Sequence, residues 1–116
     1  MAQVSTERLA SEETTADFFA VLSSPIRLAV IQLLLDGERC VTELVDALGI
    51  AQPRLSNHLA CLRHCGFVTV RRQGIFLYYA LADVRLADLL RLGAAMAQPS
   101  TNALVPCPVI RQEREA

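Results

Sequence analysis

Several absences narrow the functions open to this sequence. It contains no lysine, which we interpret as a composition bias of the genome. No apolar run reaches the roughly 18 to 20 residues of a membrane span, so no membrane partner is expected. The polar, acidic N-terminus lacks a basic stretch before an apolar core, so no secretion signal is predicted and the cytoplasm is the expected location.

Catalytic motifs are also missing. No motif pairs a nucleophile with a base and an orienting group, so an enzyme is not expected. The length of 116 residues allows one small domain with a modest core. Because 53% of the residues are hydrophobic, we expect more apolar surface to be buried in a homodimer.

Acidic residues are absent from the middle of the chain. The net charge is −1, but every acid lies at or before Asp46 or at or after Asp83. The segment between them carries four arginines and both histidines: Arg54, Arg63, Arg71, Arg72, His58 and His64. A locally basic surface on a nearly neutral chain is what a small DNA-binding protein needs.

Helix-capping residues and breakers predict five helices. Each predicted start is a capping residue or a proline of the first turn, and each end is a glycine or proline. The starts are Thr14 or Thr15, Ser24-Pro25, Thr42, Gln52-Pro53 and Asp83. The last helix, through Ala97, is apolar on more than one face, so we expect it to be buried at a subunit interface.

A β-hairpin is predicted after the fourth helix. Phe67–Arg72 and Ile75–Leu81 are rich in β-branched and aromatic residues, with Gln73-Gly74 as a tight turn between them. Two helices joined by a glycine turn and followed by a basic hairpin form a winged helix-turn-helix.

We therefore predict a mainly α (α+β) fold, a winged helix-turn-helix homodimer with N- and C-terminal helices at the interface. A flexible segment, residues 1–13, precedes a DNA-binding and dimerisation domain of residues 14–97. A tail of residues 98–116 carries Cys107.

The fourth helix is predicted to read operator double-stranded DNA. Its N-terminal end is the part that usually meets base edges, where Asn and Gln suit adenine and Arg suits guanine. Arginines at the hairpin tip reach phosphate or the minor groove. The candidate DNA-binding residues are Gln52, Arg54, Ser56, Asn57, His58, Arg71, Arg72 and Gln73. Any one of them could be an ordinary solvated side chain, but the whole set without an acid favours DNA.

Cys61 and Cys65 are candidate metal ligands on the same helix. At about 100° per residue they lie about 40° apart and away from the stripe of Leu55, Leu59 and Leu62. Such a pair makes a poor disulfide, and the alternative is that each thiol is a small buried hydrophobe. Cys107, held in extended backbone between two prolines, is a candidate third ligand.

Three thiolates without a strong fourth ligand suit soft ions, namely cadmium, lead, mercury or arsenite, whereas zinc prefers four ligands. His58 lies one turn before Cys61 and could be a fourth ligand, although a histidine on such a helix more often faces DNA or solvent. Cys40 has no neighbouring ligand in the sequence and is interpreted as structural.

These motifs resemble the ArsR/SmtB family of dimeric bacterial metal-responsive repressors. The resemblance covers about residues 14–97 and rests on Leu22–Arg27, Cys40–Leu44, Leu48–Pro53 and Leu55–Leu59. It implies a winged-helix dimer that binds its operator when metal-free and releases it when metal-loaded.

The family's metal sites are matched unevenly. The Cys-Val-Cys box of many members reads Cys40-Val41-Thr42 here, and Arg85 stands where other members need a histidine. The run from Ser56 to Gly66 is similar to that of the cadmium- and lead-sensing members, which also have a tail cysteine. That resemblance implies Cd(II) or Pb(II) as inducer, with no organic cofactor, held by Cys61, Cys65 and Cys107 of the partner subunit.

Two rival functions stay open on the residues alone. A thiol-redox regulator on the same fold predicts release of DNA by peroxide without metal. A metal-buffering protein predicts no specific binding to DNA.

Overall fold

The computed structural model describes residues 6–98 of the chain. Five helices and three strands occur in this part. In chain order they are α1 (Thr6–Leu22), α2 (Pro25–Leu34), β1 (Arg39–Cys40), α3 (Val41–Leu48), α4 (Gln52–His64), β2 (Val68–Gln73), β3 (Phe76–Leu81) and α5 (Arg85–Met96). This order is the predicted winged helix-turn-helix, in which β2 and β3 form the wing. The chain divides into two compact units, one ending at Ala82 and the other beginning at Asp83.

The core of the first unit is built on the apolar stripe of α4. Leu55, Leu59 and Leu62 are at most 1% exposed, which confirms the predicted stripe. Residues Val30 and Ile31 of α2 are fully buried and belong to the same core. Burying each such side chain contributes roughly 1.5 to 3 kcal/mol, so this core fixes the orientation of α4.

The sheet contains one strand that was not predicted. Its strand order is β1-β3-β2, with antiparallel pairing throughout. In β1, Arg39 pairs with Tyr79 and Cys40 pairs with Tyr78. A strand of two residues is too short to show an alternating pattern, so the sequence carries no signal for it.

The turn of the hairpin lies one residue later than predicted. Gln73 pairs with Phe76, so the two-residue loop is Gly74-Ile75 rather than Gln73-Gly74. Gly74 has a φ of +63°, and no described non-glycine residue has a positive φ. This combination fits a type II′ turn, whose first loop residue is usually glycine.

The predicted start of the first helix is wrong. Helix α1 begins at Thr6, and the hydroxyls of Thr14 and Thr15 donate to the carbonyls of Ala10 and Ser11 inside the helix. Threonine can satisfy its hydroxyl in this way, so it need not cap. Alanine, leucine, glutamate and arginine between positions 7 and 13 favour helix, although their polarity was interpreted as a flexible segment.

The second helix begins where predicted. Ser24 is its N-cap, with Oγ accepting a hydrogen bond of 3.3 Å from the backbone N–H of Arg27, and Pro25 is the first helical residue. Helix α3 begins at Val41, one residue before Thr42, and ends at Gly49 with a φ of +65°.

The second unit consists of α5 and the residues beside it. Asp83 precedes this helix, and its carboxylate accepts a hydrogen bond of 2.9 Å from the backbone N–H of Arg85. The Arg85 guanidinium and this N–H lower the pKa of Asp83 to about 2. Leu92 and Met96 are 62% and 75% exposed in the single chain.

No single helix between residues 6 and 98 has the length and apolarity to cross a membrane, although α1 and α2, bent by 81°, pass as a pair on length and composition alone.

Candidate DNA- and metal-binding helix

The N-terminal half of α4 exposes the residues predicted to read bases. Gln52, Arg54, Ser56 and Asn57 are all exposed, and Leu55 between them is fully buried. Ala51, the N-cap, has no side chain that could cover the first amides, and Pro53 lies in the first turn. The polar side chains therefore point away from the core at the end of the helix that DNA readers use.

His58 differs from these four residues because it faces another helix. It is half-buried, and its Nδ1 lies 3.2 Å from Nη1 of Arg27 on α2. The same guanidinium donates to the carbonyl of Val21 at 2.6 Å and to that of Ala20 at 3.4 Å. Arg27 therefore connects the last turn of α1 to α4. The structure places His58 in this contact and not among the exposed residues that are predicted to read bases.

The environment of His58 favours a neutral ring. Burial first, then the positive charges of Arg27 and Arg54, lower the pKa of His58 below its ordinary value of 6.5. Arg27 can only donate, so Nδ1 must carry a lone pair to accept its hydrogen bond. A protonated ring would lose this bond and place two cations side by side.

We expect this contact to make stability depend on pH. The unfolded chain binds a proton on His58 at a higher pH than the folded chain does. The free energy of unfolding is therefore highest above pH 6.5. It declines as the pH falls from 6.5 through the lowered pKa of His58 in the folded state. Two-dimensional NMR of the two imidazoles follows their protonation between pH 7.5 and 5. Denaturation over the same pH range measures the free energy of unfolding.

The chain has only two histidines, which provides a matched control. His58→Asn is expected to reduce the decline in stability, whereas His64→Asn, at an exposed position, should leave it in place. An imidazole of His58 that titrates at or above 6.5 would contradict the contact with Arg27.

Cys61 and Cys65 form a thiol pair at the end of α4. Both are free thiols, Cys61 half-buried and Cys65 exposed. Burial, the neighbouring charge of Cys61 and a hydrogen bond to it raise the pKa of Cys65, and the positive charge of Arg27 partly opposes this. The two thiols are therefore neighbours, as the spacing predicts, and Cys65 lies within electrostatic reach of Arg27.

The position of Cys65 is fixed by the way α4 ends. The backbone N–H of Phe67 donates to the carbonyl of Leu62 at 2.8 Å, and that of Gly66 to Arg63 at 3.1 Å. With Gly66 at a φ of +80°, these bonds form a Schellman motif. Phe67 is buried, so the chain turns into the core directly after the thiol pair.

Two thiols alone do not complete a metal site. Among residues 6–98, no group of three or more histidine, cysteine, aspartate or glutamate side chains could hold an ion. Cys107, the predicted third ligand, lies outside the described residues. The donor chemistry of the pair, two adjacent sulfurs that are at least partly exposed, fits a soft ion that takes two thiolates here and completes its coordination elsewhere.

Cys40 lies in different surroundings from the thiol pair. It is 7% exposed, and both its backbone N–H and its thiol lie 3.3 Å from Oε1 of Glu43. Cys40 is the N-cap residue of α3, and no second thiol lies beside it among the described residues.

The wing holds its two arginines differently. The guanidinium of Arg71 forms an ion pair with Glu38 and lies 4.5 Å from the ring centroid of Tyr78. It also donates to Oε1 of Gln73 at 2.6 Å. The side chain of Arg72, on the opposite face of β2, takes part in no hydrogen bond or ion pair within residues 6–98. Both lie near the end of β2, so they flank the tip of the hairpin and are not part of its two-residue loop.

Two residues of the site were missed in the sequence. Arg27 was noted only as part of a motif, and Glu38 was not considered. The arginine follows a serine–proline helix start, which leaves its long side chain free to reach backward to α1. Nothing in the sequence indicates Glu38 as the partner of Arg71, because 33 residues separate them.

Comparisons with known proteins agree with this geometry. Residues 24–70 match the family described as "Bacterial regulatory protein, arsR family". The chain is 46% identical over 103 residues to the "Probable mercury resistance operon repressor" of Streptomyces lividans, covering 89% of this chain and 82% of that protein. It is 39% identical over 79 residues to the regulator CmtR of Mycobacterium bovis, covering 68% of this chain and 67% of that protein.

A solved structure shows the same fold. The homodimeric winged helix-turn-helix DNA-binding domain from Mycobacterium bovis superposes with a TM-score of 0.71 at 32% identity. The alignment covers 84% of this chain and 90% of that one. The chain therefore belongs to the arsR family of bacterial regulatory proteins, and it is a transcriptional repressor of that family rather than an enzyme.

Proposed function

We propose that this chain is a metal-responsive repressor that binds operator DNA as a homodimer and releases it when a soft ion binds Cys61 and Cys65. One observation carries the proposal: Cys61 lies on α4 and Cys65 directly follows its last residue, and the same helix exposes the residues that we propose read bases. A bound ion can therefore change the position of α4 directly. A coupling of about 1 to 3 kcal/mol is enough to change DNA affinity 5- to 150-fold. Such a repressor acts in the cytoplasm, where bacterial DNA is found.

Exposed apolar residues support the homodimer. In the single chain, Leu9 and Phe19 of α1 are each 51% exposed, and Leu92 and Met96 of α5 are more exposed still. Large apolar side chains in such numbers favour burial against a second subunit. The N- and C-terminal helices are thus our candidates for the interface.

The inducer we propose is Cd(II) or Pb(II). Cys107 of the partner subunit would add a third thiolate to the pair on α4, and three thiolates suit these ions. The resemblance of the run from Ser56 to Gly66 to the cadmium- and lead-sensing members supports this choice.

Mercury is the second candidate, and it has its own support. The relative of Streptomyces lividans, named for mercury resistance, is 46% identical to this chain. Two thiolates satisfy Hg(II), so the pair on α4 would suffice without the tail. Cys107→Ser separates the candidates, because it should weaken the response to cadmium and leave the response to mercury.

The proposal is tested with fluorescein-labelled DNA from upstream of its own gene. Reduced full-length protein should bind this DNA more tightly than a scrambled duplex, as measured by anisotropy. Added cadmium, lead or mercury should lower the anisotropy, and a chelator should restore it. Release by peroxide without metal would favour the thiol-redox regulator, and release by arsenite would extend the set of inducers. Equal binding to both duplexes would support a metal-buffering protein.

The wing offers a separate test of DNA binding. Because the guanidinium of Arg72 has no partner in residues 6–98 whereas that of Arg71 is paired with Glu38, the two arginines should contribute unequally. Arg72→Ala is expected to weaken binding to all sequences and to reduce the slope of log K against log salt by about one per subunit. The matched variant Arg71→Ala should change the slope less. A double variant with an unchanged slope would exclude the wing from DNA contact.

A further inference from the structure

The tip of the wing carries large apolar side chains where an ordinary phosphate-binding wing needs only cations. Ile75, in the two-residue loop, is 87% exposed. The next two residues, Phe76 and Leu77, are 46% and 38% exposed. Single exposed apolar residues are common, but three consecutive ones at the end of a projecting hairpin favour a binding role.

The hairpin holds this apolar tip on a stable support. Strands β2 and β3 stay paired up to the loop, where Arg72 pairs with Leu77 and Gln73 pairs with Phe76. The rings of Phe76 and Tyr78 lie 6.4 Å apart, and the guanidinium of Arg71 covers Tyr78. Glu38 fixes Arg71 in turn, beside the hairpin. Ile75 is thus presented by an ordered arm, which keeps the entropy cost of inserting it into a partner low.

The charge around the tip selects the partner. No acidic residue occurs between Asp46 and Asp83, and Glu38, the acid that contacts the wing, is neutralised by Arg71. Arg72 lies on the strand just below the tip, and its guanidinium has no hydrogen-bond or ion-pair partner in residues 6–98. An apolar tip flanked by an available cation complements the minor groove of DNA, where phosphates line the edges and stacked bases form the floor.

We propose that Ile75 inserts as an apolar wedge into the minor groove beside each operator half-site, partly unstacking one base step and bending the duplex. This inference rests on the proposed function and deepens it. The Ile75 wedge adds an uncharged contact to DNA. This contact recognises how easily a base step deforms rather than which bases the step contains.

The variant Ile75→Ser tests the wedge without endangering the fold, because the side chain is almost fully exposed. The matched control is Ile75→Leu, which keeps an apolar side chain of equal size. The DNA from upstream of its own gene carries 2-aminopurine at successive positions flanking the half-site, and unstacking of this base raises its fluorescence. Anisotropy, measured on the same samples, reports whether the protein is bound.

With the native chain and with Ile75→Leu, one position on each side should brighten on binding. Ile75→Ser should abolish the brightening and weaken binding roughly tenfold. Its salt slope should stay unchanged because no charge is lost, which separates the wedge from the contact made by Arg72.

Specific binding without brightening at any position, or equal brightening with Ile75→Ser, would overturn the wedge and leave the repressor in place. Loss of self-association in Ile75→Ser, measured by sedimentation, would also overturn it, since the tip would then contact a second copy. Failure of the native chain to prefer this DNA over a scrambled duplex would overturn the proposed function together with the wedge.

Discussion

Replacing Cys61 with serine is expected to leave operator binding intact and to abolish release by metal. Cys61 is half-buried beside Cys65 in the C-terminal half of α4, after the exposed residues proposed to read bases. Serine is close in shape, so α4 should keep its place in the core, but its hydroxyl is a poor ligand for a soft ion. Loss of a group that merely orients a metal ligand costs roughly 10- to 100-fold in affinity. Loss of the ligand itself should cost at least as much.

The measurement is the metal concentration that releases half of the labelled operator from reduced protein. Cys65→Ser should behave like Cys61→Ser. Cys40→Ser is the matched control, because Cys40 is buried at the start of α3 and its thiol contacts Glu43. That variant should respond at the same metal concentration as the native chain. If Cys61→Ser still released the operator at the native concentration, the thiol pair would not be the sensor.

Leu59→Ala is expected to cause a large loss of stability. Leu59 is 1% exposed and lies at the centre of the leucine stripe that holds the helix. Removing such a side chain loses its transfer free energy and leaves a cavity, which together cost about 2 to 5 kcal/mol. Because small domains are stable by only about 5 to 15 kcal/mol, this is a large fraction of the total.

Denaturation by urea, followed by circular dichroism at fixed protein concentration, measures this loss. The concentration must be constant because dimerisation contributes to apparent stability. Leu59→Met, which conserves volume, should cost less than about 1.5 kcal/mol. A loss below about 1 kcal/mol for Leu59→Ala would mean that the stripe is not the support of α4, and that its orientation depends on other contacts.

Local patterns in the sequence predict most of the fold. The leucine stripe of α4, the Ser24-Pro25 start of α2 and the glycine that follows α4 all depend on periodicity or on capping chemistry, which act within a few residues. The position of the thiols relative to each other follows from the same helical geometry. These features were predictable because no distant residue is needed to produce them.

Contacts between distant residues were not predictable in this way. His58 is placed against Arg27, 31 residues away, and Arg71 against Glu38 across a similar separation. Each pair changes the interpretation of a candidate DNA-binding residue. The imidazole of His58 faces α2, and the guanidinium of Arg71 is already paired with Glu38. Strand β1 depends on β3 in the same way, because its two residues form a strand only when they pair with Tyr78 and Tyr79.

The most direct test of the account follows metal binding and DNA release in one cuvette. Reduced full-length protein, bound to labelled operator, is titrated with cadmium and separately with mercury, while ultraviolet absorbance reports metal–thiolate bonds and anisotropy reports DNA. Both signals are expected to reach their end points at the same number of metal equivalents, and Cys61→Ser should lose both. Growth of the thiolate absorbance while the operator stays bound would contradict this expectation, and so would release without that absorbance.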